Sequence, residues 1–152
     1  MIEAGRPAPD FRLSNQDGND VSLSDLTERL LVLVFYPLDF SPTCSDQLSI
    51  YQEVLGDIEA SGAGLVGVSV DSWFCHRAFS DSLNLTIPLL ADFHPKGHMS
   101  RAYGSFNEDR GSANRSLVLV GTDRSILWTH ETTQPREIPG ANLIFDALNA
   151  AS

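Results

Sequence analysis

Cysteine is nearly absent from this chain. The two present, Cys44 and Cys75, are too few for a disulfide framework, and in a reducing compartment such isolated residues are either inert core groups or reactive thiols. Positive charge is scarce as well: 10 Lys and Arg stand against 20 Asp and Glu, for a formal charge of -10. A surface of that sign repels phosphate backbones and gains little from counterion release, which argues against nucleic acid and anionic membranes as partners. No run approaches the ~20 apolar residues of a membrane span. The longest clean one, residues 30–36 (LLVLVFY), suits a buried strand. Residues 1–5 (MIEAG) have neither the basic nor the apolar region of a signal peptide, so the expected location is cytoplasmic. Repeats, low-complexity tracts and linkers are also missing. With 152 residues and 42% hydrophobic content, one ordinary core can be built, and a single domain over residues 1–152 is expected.

What is present reads as alternating strands and helices. After a stiff Pro7-Ala8-Pro9-Asp10, residues 11–13 and 21–23 flank a turn at Gln16-Asp17-Gly18 and predict a small hairpin. Residues 30–36 form a strand buried on both faces. From Ser45 the period changes: Leu48, Tyr51, Leu55 and Ile58 lie on one helical stripe that stops at Ser61-Gly62. A second buried strand covers residues 65–71, a helix residues 73–83 with Phe79 and Leu83 inward, a short apolar segment residues 89–91, and a short helix residues 98–102. Strands at residues 116–120 and 126–129 follow. The closing helix, residues 138–150, presents Leu143, Ile144, Ala147 and Leu148 to the sheet. Strand, helix, strand, helix implies parallel pairing and an α/β sheet with helices on both faces.

The informative stretch is residues 35–44 (FYPLDFSPTC). It sets a cysteine just past the carboxyl end of a buried strand and in the first turn of a helix, where open α/β sheets bind ligands. Ser41 or Thr43 can cap that helix and Pro42 suits its first turn. Unpaired backbone N–H groups and the positive end of the helix dipole favour thiolate at Cys44. A free cysteine is most often a small buried hydrophobe. Ser, Thr, Asp and two prolines around it describe a polar, shaped loop instead, and no second cysteine stands three residues on as a redox dithiol requires.

Pro37, Ser41 and Cys44 also match Pro-x-x-x-Thr/Ser-x-x-Cys, and with them the chain resembles the peroxiredoxin family. The likeness continues through residues 5–11 (GRPAPDF), 68–72 (VSVDS), 88–93 (PLLADF), 102–104 (AYG), 106–108 (FNE) and Asn114-Arg115, and is strongest to the AhpE-type branch that operates with one essential cysteine. The resemblance implies a thioredoxin-like fold: a central mixed β-sheet flanked by helices, with an N-terminal β-hairpin. It implies a peroxidase that needs no metal, haem or flavin, reduces hydroperoxides through a Cys44 sulfenic acid, and is recycled by an external thiol, either a low-molecular-weight thiol with a mycoredoxin-like partner or thioredoxin. A homodimer is implied too.

By the same resemblance Arg115 is the active-site arginine, holding thiolate and peroxide. Ser41 offers its hydroxyl to the peroxide and Pro37 closes the pocket. Many relatives carry glutamate where this chain has Gln47, so a charged carboxylate–arginine link there is in question. Cys75 has three open fates: inert packing, a resolving thiol toward Cys44, or a secondary oxidation site. Bulky Trp73, Phe74 and Phe79 around it tell against the resolving role and for a one-cysteine cycle, because burial raises a thiol's pKa and slows its attack. His94 and His98 have i, i+4 spacing, but Pro95 and Gly97 interrupt them and no third metal ligand follows. His76 and His130 suggest no role. Two rival functions are a thiol–disulfide oxidoreductase, weakened by the missing Cys-x-x-Cys, and a non-catalytic peroxide sensor.

Overall fold

A computed structural model describes residues 1–134 and 136–151. The apolar runs form the interior of a five-stranded sheet. Its strands are β3 (Leu30–Phe35), β4 (Ala63–Ser69), β5 (Leu89–Ala91), β8 (Ser116–Val120) and β9 (Ile126–Glu131), in the order β5-β4-β3-β8-β9. β3 and β4 pair in parallel with Phe35 opposite Val68, and β4 and β5 with Ser69 opposite Ala91. β8 runs antiparallel to β3, setting Ser116 opposite Phe35, and β9 is antiparallel to β8. The sheet is therefore mixed. One edge of it collects the carboxyl ends of β3, β4 and β5 and the amino end of β8, so the residues leaving β3 meet those entering β8.

Between the parallel strands run α2 (Pro42–Glu53), α3 (Leu55–Ala60) and α4 (Trp73–Leu83); α5 (His98–Ala102) and α6 (Ala141–Ala151) follow. The alternation of β3 splits the core in two. Val32, Val34 and Tyr36 pack with Cys44, Leu48, Tyr51, Ile58, Phe79, Ile144 and Leu148 on one face. Leu31, Leu33 and Phe35 pack with Phe11, Leu23, Met99 and Tyr103 on the other. Gly67 of β4 is required by close approach: a Cβ there would lie 2.7 Å from Leu89 Cδ2 and 3.2 Å from Tyr36 Cε1.

The hairpin forms as β1 (Arg12–Ser14) against β2 (Asp20–Ser22). The Leu48–Ile58 stripe packs as expected but not on one helix: at Val54 the N–H turns back to the Tyr51 and Gln52 carbonyls, which ends α2 and starts α3. β4 begins and ends two residues before the expected positions. α6 starts at Ala141 because Ile138 precedes a proline, which disfavours helical backbone; Ile144, Ala147 and Leu148 are buried there and Leu143 only partly. The short α1 (Leu23–Leu26) and the small ladder of β6 (Phe106–Asn107) with β7 (Ser112–Ala113) carry too few residues for a periodic signal. Among the described residues no helix is long and apolar enough to cross a membrane.

Candidate active site

β3 ends at Phe35, and residues 36–41 turn the chain into α2. Ser41 occupies the N-cap position with extended backbone and Pro42 takes the first helical position, which needs no N–H. The Ser41 hydroxyl does not cap the helix; it donates to the Leu38 carbonyl at 3.0 Å. Thr43 lies within the first turn and makes no cap either. Both candidate caps are thus corrected. Phe40 has a left-handed φ of 67°, and its ring stands edge-on to Phe79 of α4 at 5.2 Å between centroids.

Cys44 follows two residues into the helix, fully buried and with a free thiol. Arg115, the residue before β8, is also buried, and its Nη2 approaches the Cys44 sulfur at 3.4 Å. The pairing of Phe35 with Ser116 accounts for this meeting across 71 residues of sequence. Nη1 of the same guanidinium donates to the Gln47 amide oxygen. Gln47 Nε2 lies 3.3 Å from the Tyr51 hydroxyl, which donates to the Pro139 carbonyl at 2.6 Å. Burial pushes the Tyr51 phenol up to about 12, opposed by the Gln47 hydrogen bond and the Arg115 charge. Three successive turns of α2 therefore present Cys44, Gln47 and Tyr51 as one polar line in an apolar face. The sequence reading has Gln47 only as the neutral residue at the arginine link and Tyr51 only as part of the apolar stripe, although the i, i+3, i+7 spacing from Cys44 is there to be read.

A hollow of about 330 Å³ opens beside Arg115, lined by Pro37, Asn107, Arg110, Asn114, Glu131, Thr132 and Thr133. Thr132 Oγ1 is buried without a hydrogen-bond partner among the described residues. A larger hollow, about 780 Å³, lies among Arg29, Glu59 and Gly64 at the opposite end of the strands, away from Cys44 and Arg115. The smaller one is the hollow whose wall includes Arg115, the residue in contact with the Cys44 sulfur.

Cys75 lies apart from this line. It sits in the first turn of α4, where its N–H donates to the Ser72 hydroxyl, the cap of that helix. Its sulfur is 3.8 Å from Asp71 Oδ1. Burial first, and then the negative charges of Asp39 and Asp71, push its thiol up to about 12. The expected direction is right, but its cause differs in part. Phe74 is 67% exposed and stacks on Trp73, so carboxylates rather than an aromatic cage add to the burial. Asp39, Asp71 and Cys75 bring ligand-type atoms within 4.8 Å of one another. Each of the four carboxylate oxygens already accepts from Tyr36, His76, Ser69, the Asp39 N–H or Cys75.

Comparison with known proteins matches residues 4–129 to the AhpC/TSA family. The chain belongs to this family, the peroxiredoxins. This peroxiredoxin is 37% identical over 152 residues to alkyl hydroperoxide reductase E of Mycobacterium tuberculosis, covering 99% of this chain and 98% of that one. It is 37% identical over 126 residues to peroxiredoxin-2 of Pongo abelii, covering 76% and 70%. Among solved structures, peroxidoxin BcpB of Mycobacterium tuberculosis superposes with a TM-score of 0.90 at 24% identity, covering 100% of this chain and 99% of that one. Enterococcus faecalis AhpC superposes with a TM-score of 0.91 at 25% identity, covering 99% and 93%. The mixed sheet with flanking helices and an N-terminal hairpin is thus the thioredoxin-like fold of peroxiredoxins.

Proposed function

We propose that the protein is a thiol-dependent peroxidase in which Cys44 is the attacking group. The contact between the Arg115 guanidinium and the Cys44 sulfur carries this reading. A fixed cation 3.4 Å from sulfur in a buried setting stabilises the thiolate, and its N–H groups meet the oxygens of a bound peroxide as charge moves across the O–O bond. The thiolate attacks one oxygen of R–O–O–H, the O–O bond breaks, and R–O⁻ leaves to take up a proton as alcohol, or as water when R is hydrogen. Cys44 becomes a sulfenic acid. Pro37, in the wall of the hollow, limits water at the sulfur. Ser41, its proton given to the Leu38 carbonyl, accepts the peroxide O–H with its lone pairs. The unpartnered Thr132 hydroxyl supports a polar occupant of the same hollow, since buried polar groups are almost always paired.

The sulfenic acid is returned to thiol by an external reductant, a low-molecular-weight thiol with a mycoredoxin-like partner or thioredoxin. The depressed acidity of Cys75 supports a cycle with one working cysteine, because the attacking species in disulfide formation is the thiolate. Exposed Leu38, Phe40, Phe74 and Phe93, all on segments leaving the same sheet edge, support a homodimer formed beside the site. The compartment in this reading is the cytoplasm, where thiol donors are kept reduced. Peroxide consumption over many turnovers with a supplied thiol tests the reading; a single stoichiometric burst with every donor tried would leave only a sensor.

A further inference from the structure

Next to the reacting thiol lies a buried imidazole, carboxyl and phenol that the chemistry above does not employ. The side chains of His76 and Asp39 have no exposed surface, and His76 Nδ1 lies 2.7 Å from Asp39 Oδ2. His76 Nε2 is 2.9 Å from the Leu90 carbonyl oxygen. A carbonyl only accepts, so Nε2 carries a hydrogen, and another proton lies between Nδ1 and the carboxyl whichever atom holds it. The other oxygen of Asp39 accepts from the Tyr36 hydroxyl at 2.6 Å. The Asp39 N–H donates to the Asp71 carboxylate at 2.8 Å, which also takes the Ser69 hydroxyl at 2.5 Å. These bonds tie residues 36–41 to α4, to β5 and to the end of β4.

Such a network is a costly way to fill a core. Buried polar groups lose their hydration, and apolar residues of similar volume often serve stability as well or better. What this one secures is a single short loop. That loop carries Pro37 into the wall of the hollow and Ser41 to the head of the Cys44 helix. It also holds Phe40 at a φ of 67°, a conformation unfavourable for a residue with a Cβ and one that persists where the surroundings over-determine it. Phe79 and His76, one turn apart on α4, supply both restraints, a ring against Phe40 and a hydrogen bond to Asp39.

We propose that His76 is a positioning residue for the peroxide reaction: through Asp39 it fixes residues 36–41 so that Pro37 and Ser41 meet the peroxide in register with the Cys44 sulfur. The proposal rests on the peroxidase reading. It assigns His76 no proton transfer to substrate and no direct part in stabilising the thiolate, which the Arg115 contact provides.

Two substitutions separate positioning from packing. His76→Asn keeps a donor near the Nδ1 position and gives up the Leu90 bond; His76→Gln reaches toward the Leu90 carbonyl and gives up Asp39. The reduced variants are mixed with one equivalent of hydrogen peroxide and the second-order rate is read, alongside the thiolate absorbance against pH and the melting temperature. The Asn variant should react within a few-fold of the parent and the Gln variant about tenfold more slowly, the scale of a modest misplacement of reacting groups, with the thiolate titration of both unchanged. Asp39→Ala should match the Gln variant, and combining the two should slow the reaction no further, as residues acting in series do. A Gln variant at the parent rate, or equal slowing of Asn and Gln, overturns the proposal. If the Gln variant does not fold, the Asp39→Ala rate decides in the same way. A parent protein that does not consume peroxide would sink the peroxidase reading itself, whereas an active parent with an equally active Gln variant sinks only the role of His76.

Discussion

Arg115 reaches Cys44 with one terminal nitrogen and Gln47 with the other, so a neutral amide helps to fix the arginine beside the sulfur. The amide orients the cation without adding a negative charge at that contact.

Gln47→Glu should therefore slow the reaction with peroxide. A carboxylate of similar shape keeps the hydrogen bond but places a like charge near the thiolate, which disfavours the ionised sulfur. An effect of about tenfold on the second-order rate at neutral pH is expected from one added charge at this range and partial burial. Thiolate absorbance followed against pH checks the sign: the Glu variant should need a higher pH to ionise Cys44. An unchanged profile would mean that the charge at this position is not felt at the sulfur.

Arg115→Ala should retain the fold and react with peroxide on the order of a hundredfold more slowly, the loss typical of removing one transition-state donor. Arg115→Lys should recover only part of the rate, because an ammonium cannot bond Gln47 and Cys44 from one planar fork. Rates within a few-fold of the parent in the alanine variant, with the fold intact by circular dichroism, would mean that another group performs the task.

Cys44→Ser should abolish turnover, while Cys75→Ser should leave it within a few-fold. Below its pKa of about 12 the Cys75 thiol stays protonated in the folded protein, so alkylation of native reduced protein at pH 8 should label Cys44 far faster than Cys75. Peptide mapping after one equivalent of peroxide should find sulfenic acid on Cys44 and free thiol on Cys75. A dominant Cys44–Cys75 disulfide would replace the one-cysteine cycle with a two-cysteine one.

Asp92 is expected to matter for stability alone. Nearly fully buried, it accepts the backbone N–H groups of Met99 and Ser100 at 2.9 Å each, at the start of α5. Asp92→Ala leaves both donors without this acceptor, a loss of about 2 kcal/mol by the usual scale for unsatisfied buried groups. Chemical denaturation should show the loss, with the peroxide rate of the folded fraction unchanged.

The sheet strands, α4 and the Cys44 helix were legible because each carries its own periodicity or a proline-bounded start. The loop also showed its polarity. Hidden from such reading was everything decided by pairing across the sheet. The sequence offers Arg6, Arg77, Arg101 and Arg110 as well as Arg115, and only the family resemblance chose among them; the register of Phe35 with Ser116 gives the physical reason. His76 suggested no role because its partner Asp39 lies 37 residues away on another element. The Ser41 hydroxyl was expected to serve the helix end or the peroxide. Its proton goes to the Leu38 carbonyl, a local bond that competes well in a tight turn.

The antiparallel docking of β8 against β3 has a consequence for biosynthesis. Cys44 and its helix leave the ribosome well before Arg115, which must traverse 71 positions of chain to reach the sulfur. A nascent polypeptide carrying everything through α4 holds the cysteine but not the guanidinium that contacts it in the finished fold. In the reading proposed above, the arginine contact is thereby deferred until β8 takes its place beside β3, and a chain stalled or cleaved before that strand lacks it.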